Sequence, residues 1–540
     1  MLDFHDYVCL GASGGKECMV IMKIYYNGNL YGHKKATAFV EKHGKIIFIG
    51  NDDEALKYNG DSIDLKKKYV YPGFNDSHMH LVNYGQSLRN LLLENHTDSL
   101  ADLLGELQRN LLPGKWLVGR GWNHDYFKDV SRFPTRKDLD SISKEDPIVI
   151  TRACGHILVA NSKAIELANI HDQEVEGGSY DLETGIFKEN ALNLIYNAIG
   201  KPTVDDIKES IMIAQKSLNS YGITSVQSDD FLSATDNYHD ALEALKQLDA
   251  ENKLTVRVYE QAQFTNIVTL KEFVDSGYHT GVGTNMFKIG PLKMLGDGSL
   301  GGRTAYLSEP YYDDPTTQGI PVYTKEEFKE MFDFANKNQM QIAIHAIGDG
   351  ILDWIIEAYE YALANHPRQD HRHGIVHCQI TRQDQLLKIK QLHLHAYIQS
   401  IFLDYDNHIV NERVKPEIAK TSYNFKTLKE ITTISNGSDC PVEKPDILKG
   451  IQLAITRTSI DGTGPYLKEQ SLTREEAIDS FTIDGAYASF EENIKGSIEI
   501  GKFCDLVILE NDILSVDVNK IKDIKVLATI IDGNIVYGGI

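Results

Sequence analysis

The chain carries 19 histidines, and three pairs of them are spaced His-x-His: His78/His80, His371/His373 and His393/His395. One intervening residue puts both imidazoles on the same side of an extended chain, as two ligands of one metal ion require. His78 and His80 follow the strand-like run YVYPGFNDS, whereas the other two pairs stand before, or at the start of, their apolar runs. Two single histidines end apolar runs, His345 in QIAIHAIGD and His377 in GIVHCQI, and Asp439 ends ISNGSD. Imidazoles with a carboxylate suit a divalent ion such as Zn2+, and a position left open for water makes the chemistry hydrolytic. A lone histidine ending a strand is ordinarily a hydrogen-bonded core residue. Four of them in register with a carboxylate reverse that expectation.

Something must bring these positions together. Candidate strands lie at 70–76, 223–228, 254–261, 286–295, 341–346, 374–379, 395–402 and 432–439, with helix-like stretches such as KEEFKEMFDFANKNQ and TRQDQLLKIKQL between them. Eight alternating units predict a (β/α)8 barrel, whose active sites sit at the C-terminal ends of its parallel strands. His345 and His377 are 32 residues apart, one βα unit, and Asp439 lies a further 62 on, two units. All four histidines and the aspartate therefore converge above one barrel, and the other two pairs fall at the opposite mouth or on the surface. The first strand-to-strand interval runs to roughly 140 residues against about 30 for an ordinary βαβ unit. Residues 84–205 are accordingly expected to be an inserted subdomain over the barrel mouth, leaving 70–83 with 206–480 as the barrel.

The chain ends read differently. Short β-rich runs broken by Asn27-Gly28, His43-Gly44 and Asp532-Gly533 predict hairpins, and residues 22–69 with 481–540 are expected to form one composite β-domain. Residues 1–21 lack this pattern and are expected to be a disordered extension. Of 540 residues, 55 are basic and 77 acidic, a net charge of −22, and apolar residues make up 42%. That balance argues against nucleic acid as a partner, and no apolar run is long enough to span a bilayer. Six cysteines without CxxC spacing fit a reducing, cytoplasmic setting better than a disulfide or zinc-ribbon scaffold.

Taken together, PGFNDSHMH, the strand-end His345 and His377, and Asp439 resemble the metal-dependent amidohydrolase superfamily, and GSIEIGKFCDLVILEND with IIDGNIVYGG looks like its closing β-domain. RGWNHDYF, RACGHILVANS and KMLGDGSLGGRTAYLSEPY resemble the amidohydrolase family 3 branch, which includes N-substituted formamide deformylases. The resemblance implies hydrolysis of an amide or other C–N bond in a small molecule by a metal-activated hydroxide, with Asp439 moving the proton. It also implies a further ligand on strand four: Lys293, carboxylated by CO2, bridging two ions. His78, His80 and Asp439 would hold one ion with that carbamate, and His345 and His377 the other. Alternatives remain open: one ion per chain with Lys293 unmodified and its head paired to Asp297, as in a deaminase or cyclic-amide hydrolase, or a catalytically dead binding protein. Zinc suits the donors, with manganese, iron or nickel as alternatives. The protein could also form a homodimer.

Gly296-Asp297-Gly298-Ser299-Leu300-Gly301 matches GxGxxG, but the following TAYLSEPYYDDPTTQGIP makes a poor helix, so a substrate loop is expected rather than a dinucleotide site. GxSxG at 11–15 has no preceding strand and is set aside. Asp297 belongs to the expected substrate loop. His156 either faces substrate or is structural. Arg303 either clamps a substrate carbonyl or carboxylate, or pairs with Asp297. Trp122 either packs the insert or contacts substrate.

Overall fold

The computed structural model describes residues 22–540 except 154–155, 171–174, 176–177, 190 and 236, together with the backbone of residues 7–9 and 18–20. Apart from those two short strands, the expectation for residues 1–21 lies outside the described residues. The chain divides into two compact units, residues 1–83 with 214–540, and residues 84–213.

The first unit contains eight parallel strands in sequence order: β1 (Phe74–Met79), β2 (Ile223–Ser228), β3 (Arg257–Gln263), β4 (Phe287–Leu295), β5 (Ile342–Ala346), β6 (Gly374–His377), β7 (His395–Ile398) and β8 (Ile434–Asn436). This is the expected (β/α)8 barrel. Between β4 and β5 a helix spans Lys325–Lys337, started by a capping box in which Thr324 accepts the Glu327 amide and Glu327 reaches back. No ladder joins β8 to β1 among the described residues. Hydrogen bonds from the loop after β8, to side chain and to backbone, close that seam instead. The Asp76 carboxylate accepts from the Ser438 amide (2.9 Å), the Ser438 hydroxyl and the His78 amide (3.3 Å). The Asp439 amide donates to the His78 carbonyl (2.8 Å).

The first strand differs from its expected position. Tyr69–Pro72 is a strand of another sheet, and β1 begins after the Pro72-Gly73 break and runs through His78. Pro72 lacks an N–H and Gly73 is packed so closely that a Cβ would stand 2.2 Å from Thr224 Oγ1, so the chain changes sheets here. β6 and β8 also end earlier than expected: left-handed backbone at His377 (φ +73°) and Cys378 (φ +47°) turns the chain out of β6, and β8 stops at Asn436, before the left-handed Asp439 (φ +57°).

The chain ends build two further sheets in this unit. One has the order Asn534–Gly538, Val526–Ile531, Leu506–Leu509, Tyr69–Pro72, Asn29–Leu30, and so draws on both ends; the other has the order Lys45–Gly50, Ala38–Lys42, Met22–Tyr26, Gly60–Asp64. They share a core of Tyr25, Phe39, Ile46, Val70, Leu506 and Ile530, all essentially buried, with Tyr25 stacked on Phe39. Each such apolar side chain contributes on the order of 1.5–3 kcal/mol. The base of β3 is fixed to the larger sheet by Arg257, whose guanidinium donates two bonds to the buried Asp505 carboxylate (2.6 and 3.0 Å).

The second unit holds a six-stranded sheet of order Leu91–Leu92, Leu117–Trp122, Ile148–Arg152, Ile157–Ala160, Ile186–Glu189, Gly178–Asp181. The first three strands are parallel and the remaining pairings antiparallel. Leu103, Trp122, Ile150 and Val159 lie in its core.

Candidate metal centre

The C-terminal strand ends of the barrel bring His78, His377 and Asp439 together: one ligand atom from each lies within 4.8 Å of the others, and all three are buried. His80 joins them. Its Nε2 stands 3.2 Å from Asp439 Oδ1, and His78 Nε2 stands 3.3 Å from the same oxygen. β1 delivers His78, the residue following the strand's last position delivers His80, and β6 delivers His377.

Each ring is oriented by a neighbour behind it. His78 Nδ1 pairs with Gln261 Oε1 (2.8 Å), His80 Nδ1 with the Asp229 carbonyl (2.9 Å) and His377 Nδ1 with Gln399 Oε1 (2.7 Å). Every one of these partners is an acceptor, so the Nδ1 atoms donate and a neutral ring keeps its lone pair on Nε2. At His78 and His80 that lone pair faces Asp439 Oδ1. Lone pairs turned on a carboxylate need a cation among them, a proton or a metal ion. A divalent ion with bonds of about 2 Å suits this set of donor types.

The electrostatics agree. Burial would raise the Asp439 carboxyl, but the hydrogen bonds of His78 and His80 and the charges of His78 and His377 hold it well below the usual range. Burial would lower His80, yet Asp439 and Asp229 hold it up at about 9. Burial, with the Lys293 charge second, lowers His78; burial, with His345 second, puts His377 well below its ordinary value.

His345 lies beside His377, ring centroids 4.5 Å apart and nearly perpendicular. Its Nε2 stands 3.1 Å from the Gly298 carbonyl and 3.4 Å from Asp297 Oδ1, so Nδ1 is the nitrogen left with a lone pair. Asp297 is fully occupied. Its oxygens accept the amides of Ile347 (3.1 Å), Gly348 (2.8 Å) and Tyr306 (2.8 Å), so it shapes the loop after β4 and steadies His345 instead of facing a ligand. No helix follows the GxGxxG stretch before Lys325.

Lys293 is buried in β4. Its Nζ pairs with Asp229 Oδ2 at 3.1 Å, so the acid opposite it is Asp229 and not Asp297. Arg303 likewise pairs with Asp313 (2.7 Å), not Asp297. In the second unit His156 is exposed and pairs with Glu189 (2.9 Å). Trp122 is fully buried in that unit's core, where packing leaves no face of the indole for a substrate. Asp76, Asp229, Gln261 and Gln399 were not anticipated from the sequence. Asp229 and Gln261 stand at the ends of ITSVQSD and VYEQ, in the same strand-end register that picked out His345 and His377, and that register was the available signal.

Known proteins resemble this chain over most of its length. A putative amidohydrolase of Bacillus subtilis (strain 168), YtcJ, is 29% identical over 95% of this chain and 99% of its own length. An N-substituted formamide deformylase of Arthrobacter pascens is 24% identical over 93% of this chain and 95% of its own. The crystal structure of an uncharacterized metal-dependent hydrolase from Pyrococcus furiosus matches with a TM-score of 0.78 and 33% identity, covering 92% of this chain and 100% of that one. The family model described as the amidohydrolase family matches residues 61–537, most of the sequence. The chain with this cluster of imidazoles and one carboxylate belongs to the amidohydrolase family.

Proposed function

We propose that this protein is a metal-dependent hydrolase of an amide or other C–N bond in a small molecule, with N-substituted formamides and N-acyl amines as the substrate class. The observation that carries the reading is the convergence of His78, His80 and His377 on Asp439, each imidazole held from behind with a lone pair turned inward. The similarity to an N-substituted formamide deformylase supports the substrate class. His78, His80, His377 and Asp439 would hold a divalent ion, zinc by donor type, and His345 Nδ1 is available to a second. When bound, such an ion lowers the pKa of water toward neutrality and polarises a carbonyl. Asp439 then does the protein's own chemistry: its free oxygen takes a proton from the attacking water and delivers it to the leaving nitrogen.

Two forms of Lys293 are consistent with this reading. A CO2-derived carbamate would offer two anionic oxygens to two ions. In the second form Lys293 stays an ammonium paired with Asp229 and one ion is held per chain. Metal analysis separates them, two ions per chain against one. Lys293→Ala should lose most activity in the first form and recover part of it with acetate or propionate. In the second it should recover none. A hydrolysis screen over N-formyl, N-acyl and cyclic amides tests the function itself. Metal-loaded protein that turns over none of them, yet binds one, would replace the enzyme reading with a binding protein.

A further inference from the structure

The end of β6 is strained. His377 and Cys378 are consecutive non-glycine residues in left-handed backbone, and so is Tyr423 (φ +50°), whose amide donates to the Gln379 carbonyl (2.7 Å). Such residues cost of order 1–3 kcal/mol each and persist only where the surroundings over-determine them. The over-determination here comes from the segment after β7. Thr381 N and Oγ1 both donate to the Thr421 carbonyl (3.2 and 2.8 Å), and Asn424 Nδ2 donates to Thr381 Oγ1 (3.0 Å). At the centre the Tyr423 hydroxyl, the Asp406 carboxylate and the Gln379 amide meet: Tyr423 donates to Asp406 Oδ2, and Gln379 Nε2 contacts both the hydroxyl and Asp406 Oδ2, the latter at 3.3 Å. All three side chains are buried. The same segment lays Phe402 against the His377 ring, centroids 5.7 Å apart and 20° from parallel, while Gln399 holds Nδ1.

We infer that Tyr423 and Asp406 are positioning residues for His377: their hydroxyl–carboxylate pair, acting through Gln379, holds the left-handed turn at residues 377–378 that keeps the His377 ring beside His78 and Asp439. This rests on the reading of His377 as a metal ligand. Without the pair, Gln379 loses its buried anchor and the turn relaxes toward ordinary strand geometry, carrying the imidazole with it. Backbone bonds, from the Tyr423 amide to the Gln379 carbonyl and at Thr381, hold the far side of the turn independently of the pair, which adds the side-chain anchor of Gln379.

The test is the Zn2+ dissociation constant, measured by chelator competition, alongside the melting temperature. Tyr423→Phe keeps the ring and its packing and removes only the hydroxyl; affinity should fall about tenfold, the lower end for groups supporting a ligand. Asp406→Ala should do the same, and Asp406→Asn, whose amide oxygen still accepts from Tyr423, should restore most of the affinity. A purely structural role would lower the melting temperature in all three and leave the dissociation constant unchanged, which overturns the proposal. Should Tyr423→Phe fail to fold, the Asp406 pair decides alone: equal affinities for Ala and Asn also overturn it. His377→Ala separates the two levels. If it keeps wild-type affinity, the ligand reading itself fails; if it loses metal while Tyr423→Phe does not, only the positioning inference fails.

Discussion

The two ends of the barrel each bury a group of histidines, and they use them in opposite ways. At the N-terminal ends, His371 Nδ1 accepts the His373 amide (2.9 Å) and its Nε2 donates to the Leu392 carbonyl (3.0 Å). His373 accepts the Ile342 amide (3.1 Å) and donates to Asn336 (3.1 Å), and His395 spends its two nitrogens on Thr433 and Ser435 (2.7 and 2.8 Å). Every nitrogen there has a protein partner. At the C-terminal ends, His78, His80 and His377 each have Nδ1 held from behind, the second nitrogens of His78 and His80 meet at one Asp439 oxygen, and His377 lies beside them. Residue type is the same at both ends, and burial nearly so, His80 being partly exposed. What separates a structural histidine from a ligand is the unspent lone pair.

The largest effect should come from Asp439→Asn, which keeps the shape and one oxygen for a metal but cannot take the water's proton. General-base contributions are about 10²- to 10⁴-fold, so kcat on the best substrate of the amide screen should fall by that order while metal content falls much less. Full turnover with full metal would remove Asp439 from the chemistry and blur the contrast between the two ends.

Much of this contrast was legible in the sequence, and the missing part has a physical cause. Strand-end register found His78, His80, His345, His377 and Asp439, because a barrel turns regular spacing into convergence. It also put the His371/His373 and His393/His395 pairs at the other mouth or on the surface; His371, His373 and His395 prove to be buried there. Strand ends were less legible because barrel strands carry polar residues on their inner face. The first strand was expected to end at Asp76, yet Ser77 and His78 are also buried in β1, which runs on to Met79. The Asp229–Lys293 pair and the Gln261 and Gln399 braces were illegible for another reason. They are contacts between strands, and nothing local in ITSVQSD or HAYIQ says what each side chain meets.

A smaller effect separates the ends by pH. Burial lowers His371 to about 4 and His395 to about 3, against 6.5 in an unfolded chain. Below pH 6.5 the unfolded chain therefore binds protons that these rings refuse when folded, and stability falls with pH until the folded values are reached. For His371 the gap corresponds to about 3 kcal/mol, accrued between roughly pH 6.5 and 4. Denaturant midpoints measured across that range should fall, and His371→Gln should flatten the slope. An unchanged slope would mean that the His371 ring is already charged in the folded state.

The smallest effect belongs to His393, two residues from the buried His395 and exposed. It follows Leu392, which caps the Gln383–Gln391 helix, and its backbone is left-handed (φ +51°) with its amide on the Lys390 carbonyl (3.2 Å). That is the position after a helix C-cap where glycine is favoured, because a Cβ is a liability in left-handed backbone. His393→Gly should therefore raise stability by about 0.5–1 kcal/mol, the relief of that strain less the entropy glycine adds to the unfolded chain. His395→Gly should destabilise, since it empties a buried site and strands the Thr433 and Ser435 hydroxyls. Neither should release metal. Paired denaturation curves with metal analysis check both at once. Metal loss on His393→Gly would mean that a His-x-His spacing at the lower mouth also binds an ion, and that an unspent lone pair is not what distinguishes the two ends.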